Sequence, residues 1–115
     1  MSFMQHKDVI ILQKVVSEID VGTLLLGNVS LEDFLDNEMQ KRAVGMTVIN
    51  IGELIKNVSD ELRMKHKEVP WKAIAGMRDL AAHKYQTLRM EDIYNTAKDD
   101  FKELKTMLEK ILSED

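Results

Sequence analysis

The chain contains no cysteine, a single proline and only five glycines in 115 residues. Without cysteine there are no disulfides and no thiolate-held metals, which suits a reducing compartment. The longest apolar run near the start, Val9-Ile10-Ile11-Leu12, is too short for a signal-peptide core or a membrane span. The expectation is therefore a cytoplasmic protein with no membrane association. There is also no glycine-rich phosphate loop, no Gly-Lys-Ser/Thr step and no Ser/His/Asp order. No nucleotide motif stands in the chain, and no cofactor is expected.

Alternation of apolar and polar residues never persists long enough for a strand. Apolar residues recur instead at steps of three and four, the period of an amphipathic helix. Val9, Leu12, Val16 and Ile19 form one stripe. Val44, Val48, Ile51, Ile55, Val58 and Leu62 form a second. Ile93, Ala97, Phe101, Leu104, Leu108 and Ile111 form a third. "GNVS" at Gly27–Ser30 should end the first helix, with Ser30 capping a short one over Leu31–Leu35. "DNE" at Asp36–Glu38 looks like the next start, and that long helix should reach about His66. Pro70 suits the first turn of a helix from Trp71 to about Tyr85. A last helix should run from about Glu91 to Leu112. The pattern predicts one all-α domain over 1–115, an antiparallel four-helix bundle with one extra short helix.

Charge is distributed unevenly. Residues 1–62 hold five Lys/Arg against ten Asp/Glu, residues 63–89 seven against two, and residues 90–115 four against eight. The net charge of −4 thus conceals a central basic segment of net +5, which could attract a polyanion. An unevenly charged but merely solvated surface is the plain alternative. Lys72 and Lys84 lie in this segment and are candidates for RNA contacts.

The same segment contains "MRDLAAHKYQ", Met77 to Gln86. Arg78 and Tyr85, seven residues apart, fall nearly on one helical face; His83 lies about 140° round from Arg78. Arg78 and His83 can meet if the helix ends or bends near His83, or if a second chain supplies one of them. Brought together, they suffice to cleave RNA without metal. The 2′-hydroxyl attacks phosphorus, His moves a proton, and Arg holds the charge on the phosphoryl oxygens. Asp79 could orient either group. A polar helix face with exposed Arg78 and His83, and Tyr85 half-buried in the core, is the ordinary reading of the same spacing.

Other candidates carry less. Asp99, Asp100 and Glu103 could hold a hard cation, but no further ligand joins them and an exposed acidic face is expected; no metal site is assigned. His6 and His66 read as surface residues. Glu53 beside Gly52 reads either as a buried polar group or as a group reaching the Arg78 helix. Trp71 should pack the start of its helix, and the eight methionines should mostly fill the core.

The motif "RDLAAHKY" fits R-x-x-x-x-H-x-Y and resembles that of HepT-like toxins in the HEPN superfamily. The lead-in "VPWKAIAGMRD" and the long-helix stretch "QKRAVGMTVINIGELIKNVSDELR" are similar to that family too, so the resemblance spans about Gln40 to Phe101. It implies an all-α homodimer and a metal-independent endoribonuclease with Arg78 and His83 as the catalytic pair and Asp79 in support. It also implies a toxin–antitoxin pair, with an MntA-type nucleotidyltransferase as antitoxin, inhibiting the toxin by adenylylation of Tyr85. Lys84 and Gln86 flank Tyr85 where members often carry an aromatic or glycine. The alternative is a non-catalytic helical subunit that presents substrate or nucleotide to a nucleotidyltransferase.

Overall fold

The computed structural model describes residues 4–83 and 90–114, the side chains of 78–83 excepted. The described elements are all helical: α1 (His6–Leu26), α2 (Leu31–Asp36), α3 (Glu38–Ile55), α4 (Asp60–Lys65), α5 (Trp71–His83), α6 (Met90–Asn95) and α7 (Phe101–Ser113), with a π-helical stretch over Thr96–Asp100 joining the last two.

The three sequence stripes become one core. Leu12, Val15 and Ile19 of α1, Val44, Val48, Ile51 and Ile55 of α3, and Phe101, Leu104, Leu108 and Ile111 of α7 are all buried. Complete burial of one such side chain favours folding by about 1.5–3 kcal/mol, so helices with one apolar face have no stable existence until these faces meet. α3 packs against both α1 and α5, and α1 packs against α7. Specific contacts fix the directions. Gln40 near the start of α3 donates from Nε2 to the carbonyls of Leu25 and Leu26 at the end of α1 (3.0 and 3.1 Å). Lys105 of α7 pairs with Asp20 of α1 at 2.7 Å. Neighbouring long helices are antiparallel, and α1, α3, α5 and the α6–α7 rod make the expected four-helix bundle.

The caps follow the sequence where they are local. Ser30 Oγ accepts from Asp33 N at 3.1 Å, and Asn37 Oδ1 accepts from Gln40 N at 2.9 Å. Gly27 closes α1 at φ +59°, among the described residues the one positive φ, a conformation that disfavours any residue with a Cβ.

The long second helix is not continuous to His66. It stops at Ile55, and a separate short helix starts at Asp60. The stripe hides the break because Val58, inside it, and Leu62, beyond it, both stay buried. Two tertiary contacts hold it. Buried Asp8 of α1 accepts from both the backbone N–H (2.9 Å) and the hydroxyl of Ser59, while Ser59 Oγ caps α4 through Leu62 N at 3.1 Å. Arg63 then turns back, its Nη2 donating to the carbonyls of Ile55 (3.4 Å) and Lys56 (3.1 Å) at the end of α3. The free carbonyls of a helix end need such partners.

The last helix is interrupted too, by its π-helical stretch. Phe101 at the start of α7 presses against Gly22 of α1, where an added Cβ would stand 2.6 Å from the ring and 2.8 Å from Thr47 Oγ1. Of the described methionines, Met4, Met77 and Met107 pack partly buried against the core. Met39 (83%), Met64 (69%) and Met46 (54%) are exposed, whereas Met90 is buried.

Candidate active site on the fifth helix

The start of α5 is firmly built. Val69, Trp71 and Ile74 are buried. Trp71 Nε1 donates to the carbonyl of His66 at 2.9 Å, and Ile74 N donates to that of Pro70 at 3.0 Å. Pro70, which has no N–H to give, stands where the helix has no use for one. Trp71 therefore packs as its sequence suggests. His66 does not: its side chain is only 12% exposed and its Nδ1 lies 3.3 Å from Glu68 Oε2. A residue that reads as isolated at the surface is instead half-buried beside Glu68, an outcome of the α4–α5 turn rather than of local pattern. Glu68 is held below the ordinary carboxylate range, first by its own backbone N–H, then by His66.

From this anchored start the backbone of α5 stays helical through Arg78 and Asp79 to His83. Its register has a direct consequence for the motif. Arg78 follows Trp71 and Ile74 by seven and four residues, so its backbone position lies in the row those buried residues define. Asp79 and His83 lie in the row of Lys72 and Gly76, both exposed. The backbone positions of Arg78 and His83 are about 140° apart around the axis. One helix thus separates the two residues rather than gathering them. Lys84 and Tyr85 fall outside the described residues, as do the side chains of Arg78, Asp79 and His83.

The other sequence candidates are placed plainly. Glu53 is not a buried polar group; it is 41% exposed and pairs with Lys56 at 3.0 Å. Asp99, Asp100 and Glu103 are exposed, and among the described residues no group of three or more His, Cys, Asp and Glu could hold a metal ion. His6 is exposed, as its sequence suggests. No described helix is long and apolar enough to cross a membrane. Sequence reasoning missed Arg63 and Lys67, which the structure gathers with Lys72 around one recess beside the start of α5. Their one sequence signal is the density of cations between residues 63 and 72.

Comparison with known proteins adds to this geometry. The family model described as "Ribonuclease HepT-like" matches residues 16–111. Among curated proteins, the chain is 34% identical over 104 residues to a "Putative RNase" of Caldanaerobacter subterraneus subsp. tengcongensis, covering 90% of this chain and 93% of that one. It is 31% identical over 106 residues to the "Probable ribonuclease HepT" of Thermococcus cleftensis, covering 92% and 94%. A "Putative RNase" of Methanocaldococcus jannaschii is 34% identical over 87 residues, covering 76% and 72%. No solved structure matches. With an all-helical bundle and a family match across most of its length, the chain belongs to the ribonuclease HepT-like family of the HEPN superfamily.

Proposed function

We propose that this protein is a metal-independent endoribonuclease whose Arg78 and His83 act together at a cleft between two copies of the chain. The observation that carries this reading is the R-x-x-x-x-H motif on a regular α5, whose backbone sets the two positions about 140° apart. A pair separated in that way needs a second helix to complete it, and the same helix of a symmetry-related copy is the simplest source. The relatives named as ribonucleases support the activity.

The chemistry follows from the two side chains. His83 takes the proton from a ribose 2′-hydroxyl as its oxygen bonds to the adjacent phosphorus. Arg78, permanently charged and with a planar fork, neutralises the phosphoryl oxygens as charge builds on them. The bond from phosphorus to the 5′-oxygen breaks, and that oxygen takes up a proton. The products are a 2′,3′-cyclic phosphate and a 5′-hydroxyl. Asp79, adjacent to Arg78 and in the His83 row, orients the imidazole.

The toxin–antitoxin assignment extends this reading. Tyr85 lies two residues beyond His83, and an AMP group transferred to it by a nucleotidyltransferase antitoxin would bring a phosphate to the Arg78 site and neutralise its cation. Incubating labelled RNA with the purified protein in excess chelator tests the activity. Cleavage by the wild type, lost in Arg78→Ala and in His83→Ala, is the expected result. No cleavage by the wild type, with nucleotidyltransferase binding retained, would favour a non-catalytic partner subunit.

A further inference from the structure

Beside the start of α5 the surface opens into a recess of about 460 Å³. Three cations border it, Arg63, Lys67 and Lys72, over a floor of Val69, Pro70 and Trp71; among the described residues no carboxylate lines it. The acidic residues gather on the other flank of the same turn, where Glu68, Asp100 and Glu103 border a separate apolar groove. The start of α5 therefore divides the surface by sign. In a chain of net charge −4, a shallow, open patch whose charged border among the described residues is all cationic is not what even mixing of charges would leave.

The three cations are held differently. Arg63 is fixed, because its Nη2 is bonded to the carbonyls of Ile55 and Lys56. Lys67 and Lys72 are exposed and form no ion pair among the described residues. Two free ammonium groups beside one anchored guanidinium suit a flexible polyanion, which meets point charges at several places without demanding one geometry. Position adds direction. Lys72 and His83 lie in the same row of α5, eleven residues or roughly 17 Å apart along the axis. A strand held at the recess can thus run along one face of α5 towards His83, a span of a few nucleotides.

We propose that this recess is a phosphate-binding subsite for single-stranded RNA, holding the backbone away from the bond that is cut. The inference rests on the ribonuclease reading, and it assigns Arg63, Lys67 and Lys72 a part in affinity, none in the chemical step. Binding through such cations releases counterions, so it weakens as salt rises.

The test uses full-length protein carrying His83→Ala, so that RNA stays intact, and measures binding of a fluorescent single-stranded RNA across salt concentrations. Lys67→Gln with Lys72→Gln should lower the slope of log K against log salt by roughly 0.7 for each phosphate no longer neutralised, about 1.4 in all. Affinity at about 0.15 M salt should fall roughly tenfold. A matched double variant, Lys7→Gln with Lys14→Gln on exposed positions of α1, removes equal charge elsewhere and should leave the slope unchanged. An unchanged slope in the recess variant, or an equal loss in the α1 variant, overturns the subsite while leaving the nuclease reading intact. Failure of the parent protein to bind RNA at any salt concentration overturns both.

Discussion

Asp8 is 1% exposed and both of its oxygens accept from Ser59, one from the backbone and one from the side chain. Removing it leaves a backbone donor without its partner at the point where α3 gives way to α4. Asp8→Ala should destabilise the fold by about 1–3 kcal/mol, the cost of leaving a largely covered donor unpaired; urea denaturation measures it, and an unchanged midpoint would deny Asp8 this role. In the sequence Asp8 looks like a first-turn acid on an amphipathic helix, because its partner lies 51 residues away. Glu38 shows the opposite case, a local interaction that pattern could reach. Lys41 Nζ stands 2.8 Å from it, and Arg42 lies on its other oxygen at 3.2 Å. Lys41 first, then Arg42, hold its carboxyl below the ordinary 4.5. A depressed folded-state pKa gives stability that is present above the ordinary value and lost as pH falls through the folded one. Glu38→Gln should therefore be slightly less stable than wild type at neutral pH, and the gap should close in acid well below pH 4.5. Melting curves across that range would show it; a gap that widens in acid would refute the assignment.

At the level of elements, two glycines in helices make opposite demands. Gly22 is buried where α1, α3 and α7 converge on the Phe101 ring. Gly76 is exposed on α5, with nothing among the described residues within 4 Å of an added Cβ. Gly22→Ala should cost about 1–3 kcal/mol through overpacking. Gly76→Ala should stabilise by about 0.5–1 kcal/mol through reduced backbone entropy in the unfolded chain. Thermal melts of the two variants moving in the same direction would contradict the packing described. The helices themselves were legible from period and caps: Ser30, Asn37 and Gly27 mark real boundaries because each acts within four residues of itself. The break at Lys56–Ser59 was not, because Val58 and Leu62 keep the stripe in phase while Asp8 and Arg63 hold the ends from elsewhere. The π-helical stretch at Thr96–Asp100 gave no signal either; Ile93, Ala97 and Phe101 follow at steps of four that an ordinary helix also accommodates. The motif residues of the candidate site could be named from sequence, since their spacing is local. The basic recess could not, since it needs α4 and α5 folded against each other.

For the whole molecule, the decisive matter is how one face of α5 meets another. Period and register put Arg78 and His83 in different rows, so the proposed catalytic unit is a pair of chains with two equivalent sites, each taking Arg78 from one copy and His83 from the other. The central claim is tested most directly by mixing two inactive proteins, Arg78→Ala and His83→Ala, under conditions that exchange subunits, and measuring RNA cleavage in chelator. Each mixed pair would hold one site with both residues intact and one with neither. With equal amounts and random exchange, the mixture should recover about a quarter of wild-type activity, because half of the pairs are mixed and each has one of two sites. A mixture as inactive as either parent, despite demonstrated exchange, would contradict the account.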